Sequence, residues 1–256
     1  MPPPALRQKG QKPAKPPRGP RGPTPGAIWR IVSLVVVLTL GISTVALLRE
    51  DAWNPFTPLD PNAAPTPITP LKLARTARDP ALCRAALDAM AGAEQTWLAD
   101  REDSPLCHIR TRTRISRTGD ARLAPVETRC ETALRLAMWT RHAVQPAATA
   151  HFGSQVTEIK HLSSYSCRRM RTSRGTSEAM SAHATARAID VSGVRLDTGR
   201  RVQLLSGWGG AADEQAFWRE VRDGACTYFR TVLSPDYNAL HADHFHFAQG
   251  RWPACR

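Results

Sequence analysis

The rhythm of apolar and polar positions changes several times along the chain. Residues 1–30 show no apolar period. Ile31 to Leu48 then run for 18 residues without a charge, and 49–71 returns to polar residues interrupted by Pro55, Pro58, Pro61, Pro65, Pro67 and Pro70. From Pro80 the pattern becomes helical. Asp79-Pro80 makes a suitable first turn, and Cys83, Ala86, Leu87 and Met90 recur on one face. Cys130, Leu134, Ala137 and Met138 form a second stripe, which Pro146 should limit. Between these helices, His108 to Arg117 is rich in Arg and Thr and reads as an exposed strand.

Beyond Phe152 the period shortens. Val156 to Ile159 and Arg187 to Val194 are strand-compatible, and Asp197-Thr-Gly199 suits a turn into Arg201 to Leu205. Asp213 is placed to cap a helix through Val221, and Thr227 to Leu233 reads as a strand followed by a Pro235-Asp236 turn. Helices ahead of a small, mainly antiparallel sheet make an α+β arrangement.

Composition divides the chain further. The net charge is +13, of which residues 1–30 hold +7 with no acid, leaving +6 for the rest. A basic segment full of Pro and Gly buries too little apolar surface to offset its ordering entropy, so the leader is expected to be disordered. Residues 31–48 are close to the length of a membrane-spanning helix. Seven Lys or Arg precede that run, whereas Arg49 follows it beside Glu50 and Asp51. This bias puts the leader in the cytoplasm and the rest outside, which implies a single-pass protein of the inner (cytoplasmic) membrane with its C-terminal domain in the periplasm. A cleaved signal peptide is the alternative; the long leader and the lack of a clear small-x-small cleavage site argue for an uncleaved anchor. Residues 49–71 read as a semi-stiff Pro-rich linker and 72–256 as the folded domain.

A basic protein invites a nucleic-acid reading, but no nucleic-acid motif occurs and the leader's charge is explained by topology and anionic lipid. All six cysteines (Cys83, Cys107, Cys130, Cys167, Cys226 and Cys255) lie beyond the apolar run. An even count on the exported side indicates disulfides, and their connectivity stays open.

The chemistry concentrates in two stretches, Ser181-Ala-His-Ala-Thr-Ala-Arg-Ala-Ile-Asp190 and His241-Ala-Asp-His-Phe-His-Phe247. Imidazole and carboxylate are ordinary zinc ligands, and His183, Asp190 and His246 offer the three that a catalytic zinc requires. Side chains two apart share a strand face, so His244 and His246 can enter one cleft. Asp243 must precede the strand, or lie at a bulge, to join them.

Ser-x-His-x-x-x-x-Ala-x-Asp followed by Asp-His-Phe-His resembles the zinc D-Ala-D-Ala peptidase superfamily, grouped with lysostaphin-type enzymes and the hedgehog signalling domain. Within it the chain is most similar to the extensin-like C-terminal family, given Tyr165-Ser-Cys-Arg168 upstream and the block from Cys226 to His246. The resemblance implies a hedgehog/DD-peptidase-like fold and Zn2+ held by His183, Asp190 and His246. It also makes Asp243 the general base, has His244 stabilise the tetrahedral intermediate, and has Arg168 hold substrate carbonyl or carboxylate groups, with Arg169 as its rival. Ser181 supports the loop, and His241 has no role in the pattern. Ala186 stands where relatives usually carry Gly, and Ala182 where the extensin-like branch often has Glu, so an altered turn or pocket wall is expected. The implied activity is a peptidase acting on peptidoglycan stem peptides or cross-links. The opposing expectations are a non-catalytic zinc-containing peptidoglycan-binding module and a scaffold whose His and Asp are structural.

Overall fold

The structure, a computed structural model, describes residues 25–250 and 252–256. The expected disordered leader therefore lies mostly outside the described residues. The chain divides into two compact units at Leu47/Leu48. In the first, α1 (Pro25–Arg49) begins before the apolar run, because proline is tolerated in a first turn where its missing N–H is not needed. Its 22-residue section Ile28–Arg49 contains an 18-residue window with a mean hydropathy of 2.6. At 1.5 Å per residue that section spans about 33 Å, enough for a bilayer core of about 30 Å. Such a helix is compatible with a single-pass anchor or a signal sequence.

The second unit is α+β. It opens with α2 (Thr69–Thr76) and α3 (Pro80–Asp88), the latter capped by Asp79, whose carboxylate accepts from the Ala81 and Leu82 amides. Strands β1 (Glu94–Trp97), β2 (Arg101–Ser104), β3 (Cys107–Ile109), β4 (Arg112–Thr118) and β5 (Ala121–Arg129) follow. The Arg- and Thr-rich stretch is thus two strands, broken at Thr111, whose φ is 48°. It is also only partly exposed, with Ile109, Thr113, Ile115 and Thr118 buried.

Next comes α4 (Cys130–Trp139), buried along its whole length. Pro146 does not end this rod as expected. A wide turn at Thr140–Val144, with the Gln145 amide bonded to the Thr140 carbonyl, carries the chain into α5 (Gln145–Phe152). Proline lacks a donor and its ring crowds the carbonyl four residues back; a π-type turn relieves both problems without breaking the helix.

The remaining elements are β6 (Val156–His161), β7 (Arg169–Thr172), β8 (Gly175–Met180), a 3-10 turn at Ala182–Thr185, β9 (Ala188–Leu196), β10 (Arg201–Gln203), the short α6 (Leu204–Gly207) and α7 (Ala212–Ala225), then β11 (Thr231–Leu233), β12 (Phe245–Ala248) and β13 (Ala254–Cys255). Asp213 does not cap α7. Ala211 precedes the helix, and Asp213 sits in its first turn, where its carboxylate takes Arg200 at 3.1 Å. α7 also runs past Val221 to Ala225, so the strand expected from Thr227 starts only at Thr231.

The main sheet has nine strands in the order β1-β4-β5-β6-β9-β12-β11-β13, with β10 beside β9. It is larger than the small sheet the sequence suggested. Only β5/β6 and β11/β13 are parallel pairs. On its helix-facing side, Phe247 meets Trp139 edge-on at 4.9 Å and stacks on Phe229 at 4.9 Å, while Phe245 packs against Trp218 at 5.6 Å. The buried Trp139 indole donates to the Val221 carbonyl at 2.8 Å, which locks α4 to α7. Three disulfides reinforce this core. Cys83–Cys130 joins α3 to α4, Cys107–Cys167 joins β3 to the segment before β7, and Cys226–Cys255 joins the end of α7 to β13. Each closes a loop of a length typically worth ~2–4 kcal/mol.

The Pro-rich segment is no free stalk; it lies on the domain. The buried Lys72 ammonium donates to the Asp51 carbonyl, to Thr57 Oγ1 at 2.9 Å and to the Pro58 carbonyl at 3.3 Å. Asn62 spans Ala89 and Ala91 with both ends of its amide, and His142 bonds the Pro61 carbonyl at 2.9 Å. Lys72→Met keeps the apolar stem but leaves those oxygens without their donor, a loss of ~1–3 kcal/mol. Hydrogen exchange should then quicken by about tenfold or more in residues 51–66 and stay unchanged in the sheet. Unchanged exchange in 51–66 would show that the segment is held by something other than the ammonium.

Candidate metal centre

Two neighbouring strands bring the candidate ligands together. In the antiparallel pairing of β9 with β12, Asp190 stands opposite His246, flanked by Ile189 opposite Phe247 and Val191 opposite Phe245. Side chains alternate, so the four apolar residues enter the core while Asp190 and His246 share the other face. His183 arrives from the 3-10 turn just before β9, where the Ser181 hydroxyl accepts from the His183 amide at 3.3 Å.

His183 is almost fully buried, and its Nδ1 lies 3.0 Å from the Ser164 carbonyl. A carbonyl only accepts, so Nδ1 carries the proton and Nε2 presents a lone pair to the site. That Nε2 is 3.2 Å from both Asp190 Oδ1 and His246 Nδ1, and the last two atoms are 2.8 Å apart. These three residues form the one His/Cys/Asp/Glu cluster of metal-binding geometry among the described residues. Zinc bonds of about 2.0–2.1 Å in a tetrahedron need ligand atoms about 3.3 Å apart, so the donor triangle fits such an ion with little adjustment. Burial opposes ionisation of Asp190, but the close polar contacts with the His183 and His246 rings outweigh it and hold the carboxyl below the usual carboxylate range. Burial likewise pushes His246 down, against the pull of Asp190.

Asp243 and His244 lie in the bend before β12, and Asp243 Oδ1 accepts from His244 Nδ1 at 2.7 Å. His244 Nε2 then faces Asp190 Oδ2 at 3.9 Å, so the pair reaches the triad through the imidazole while Asp243 itself is largely exposed. Arg168 is tied to the same region by its backbone, its carbonyl accepting from the Ser181 amide at 3.1 Å. Its guanidinium reaches only the neighbouring Arg169 carbonyl, whereas Arg169 is committed to Glu178. Of the two rivals, Arg168 is the one left without an acid among the described residues.

The sequence profile described as Extensin-like protein C-terminus matches residues 81–256, more than half of the chain. The chain belongs to this extensin-like family. No curated protein and no solved structure matches it.

Within the extensin-like domain, Tyr165-Ser-Cys-Arg168 works as an anchor. The Tyr165 hydroxyl donates to Asp103 Oδ2 at 2.6 Å under the Arg101 guanidinium, and Cys167 is bonded to β3. Just ahead of it, the buried Ser164 hydroxyl donates to the Ala188 carbonyl at 2.7 Å, and Thr128 Oγ1 lies 2.6 Å away. Sequence reasoning missed Ser164, because its contribution to His183 is a backbone carbonyl that any residue could supply. Ala186 ends the 3-10 turn that carries His183. It keeps a left-handed backbone at φ 51°, and its carbonyl accepts from Thr128 and Thr132 at 3.2 and 2.9 Å. Those two bonds offset a conformational cost of ~1–2 kcal/mol for a residue with a Cβ.

His241, which had no role in the pattern, forms a wall of the same space. Its ring lies 5.4 Å from His244 and 5.8 Å from His246, and its Nδ1 is held by Asn238 Oδ1 at 2.8 Å. Burial, with the neighbouring imidazoles, pushes its pKa down to about 4, so it is neutral at ordinary pH.

If these three side chains are the ligand set, metal analysis of the purified protein should find about one zinc per chain. His183→Ala or Asp190→Ala should lower occupancy strongly, because a three-ligand site has none to spare. Full occupancy in both variants would show that the metal is held elsewhere.

Proposed function

We propose that this extensin-like domain is a zinc-dependent peptidase of the bacterial cell envelope, acting on peptidoglycan stem peptides or cross-links, and that it shares the hedgehog/DD-peptidase-like plan its motifs resemble. The observation that carries the reading is the convergence of His183 Nε2, Asp190 Oδ1 and His246 Nδ1 within 3.2 Å of one another, with an Asp–His pair alongside. Location supports it. One apolar helix precedes the domain, three disulfides suit an oxidising compartment, and the Lys/Arg bias favours an inner-membrane anchor with the domain in the periplasm.

When bound, zinc supplies Lewis-acid polarisation of water and of a scissile carbonyl. The chain's own residues do the rest. His183, Asp190 and His246 would hold the ion on the sheet face. Asp243 and His244 act as one proton-handling unit. Asp243 Oδ1 fixes the Nδ1 proton and so turns the Nε2 lone pair toward the ligands. After taking a proton from the attacking water, the same imidazole can donate a hydrogen bond to the developing oxyanion or return the proton to the leaving amine. Arg168 supplies a fixed fork of donors for a substrate carbonyl or carboxylate.

Mass spectrometry of purified muropeptides incubated with the zinc-loaded protein tests the reading and names the bond cut. Asp243→Asn should retain metal while turnover falls by ~10²–10⁴-fold. His244→Ala should fall comparably, and the double variant should be little worse than either alone, because the two act as a unit. Arg168→Lys should weaken both binding and turnover. Binding of muropeptide by the zinc-loaded protein with no cut product would replace this reading with that of a non-catalytic binding module.

A further inference from the structure

A cavity of about 420 Å³ opens beside the candidate centre, lined by Lys160 and His161 of β6, Gly193 of β9, Arg201 and Gln203 of β10, and Asp243. Asp243 lines it and bonds His244, whose Nε2 lies 3.9 Å from Asp190 Oδ2, so the cavity adjoins the triad through this pair. Its size falls in the range of pockets that take small ligands or a short stretch of peptide.

The strand registry explains why this space exists. Gly193 pairs with Gln203 on one side and Lys160 on the other, and an extra residue, Ser192, bulges β9 between the Lys160 and His161 pairings. The bulge returns Val194 and Leu196 to the core and leaves Gly193 facing the cleft without a side chain. A Cβ there would lie 3.1 Å from the Val202 carbonyl oxygen, so glycine keeps the floor open between its two polar neighbours.

Charge is distributed unevenly along the cavity. At the end away from the triad, Arg201 stands directly opposite Arg195 across the strand pair, an arrangement of like charges that is destabilising by itself. Neither guanidinium has a carboxylate within salt-bridge distance among the described residues. Glu158, the register partner of Arg195 on β6, instead takes the Lys160 ammonium. Arg201 and Arg195 therefore make the far end of the cavity cationic without an ion pair of their own, while Lys160 is paired with Glu158. The near end carries Asp243.

We propose that this end of the cavity is a carboxylate subsite, in which Arg201, assisted by Lys160 and Arg195, holds an ionised carboxyl group of an extended peptide whose main chain passes Asp243 to reach the triad. The inference rests on the peptidase reading of the centre and deepens it. The substrate is a peptide that keeps a free carboxylate on one side of the cleaved bond, so amidation of that group discriminates against it. A planar guanidinium meets a carboxylate through two parallel hydrogen bonds, which gives both affinity and orientation.

The test uses the full chain in detergent micelles and a fluorescently labelled stem pentapeptide. Its fully amidated analogue and two singly amidated analogues, one at the C-terminus and one at the side-chain carboxyl, complete the set. Binding is read by anisotropy after zinc is stripped with a chelator, so that no cleavage intervenes. The carboxylate form should bind at least about tenfold more tightly than the fully amidated one, and the single amidations identify which carboxyl is read. Arg201→Gln should abolish that preference. Arg174→Gln, which removes a cation from the β7–β8 hairpin, should leave it intact.

Equal binding of the two peptides, an unchanged preference in Arg201→Gln, or an equal loss in Arg174→Gln would overturn the subsite. The two readings fail separately. Carboxylate-dependent binding without cleavage after zinc is restored sinks the peptidase and leaves the subsite standing. Equal cleavage of amidated and free peptides sinks the subsite and leaves the peptidase.

Discussion

The register between β9 and β12 is the constraint on which the rest depends. Ile189 and Val191 on one strand and Phe247 and Phe245 on the other are fully buried, and they alternate with Asp190 and His246. A slip of β12 by one residue would send Phe245 and Phe247 to the cleft and His246 into the core. Burying an unpaired imidazole costs ~1–3 kcal/mol, and exposing two Phe side chains costs ~1.5–3 kcal/mol each. The aromatic packing of Phe245 and Phe247 against Trp218, Trp139 and Phe229 therefore does more than fill space. It sets the alignment that places the Asp190 and His246 donor atoms 2.8 Å apart.

His183 is positioned by a separate arrangement built largely from the first half of the domain. Thr128 on β5 and Thr132 on α4 hold the Ala186 carbonyl, Thr128 also touches Ser164, and the Ser164 carbonyl fixes the His183 tautomer. Cys107 on β3 ties the same segment down through Cys167. The third donor is thus referenced to β3, β5 and α4 rather than to its own strand alone. A site whose ligands come from short turns gains precision when the turns are bonded to rigid elements in this way.

Much of this was legible in the sequence, and the unread parts share a cause. The helical stripes at Cys83 to Met90 and Cys130 to Met138, the strand starting near Val156 and the turn at Gly199 all follow from local periodicity and turn chemistry, which one segment carries by itself. The three candidate ligands were singled out by the combination of the two motifs and the resemblance it carries, since a His and an Asp seven apart are common by themselves; the structure brings their donor atoms together. Pro146 was misread because tertiary packing of a wholly buried helix favoured a π-type turn over a break, an outcome that no local signal announces. Residues 49–71 read as a linker because proline content reports stiffness, whereas docking depends on Lys72, Asn62 and His142 meeting oxygens far away in sequence. Ser164 and the cavity floor at Gly193 escaped notice for the same reason, since one acts through its carbonyl and the other through a missing side chain.

The electrostatics of the sheet face follow from where these groups sit. The Asp190 carboxyl is held below the usual carboxylate range in a buried position, with ring nitrogens of His183 and His246 at 3.2 and 2.8 Å from one of its oxygens, so the triad gathers a carboxylate and two imidazoles around one point. On the zinc reading proposed above, two imidazoles and one carboxylate would leave a divalent ion with a net positive charge, as Lewis-acid chemistry requires. The further carboxylate beside the triad, Asp243, is largely exposed and accepts from His244. The cations begin only beyond it, at Lys160 and Arg201. On the proposed reading, a polar chain laid across the face would meet the His183–Asp190–His246 triad, then the Asp243–His244 pair and then the cationic end at Arg201, and this order of charges would give the cleft a direction.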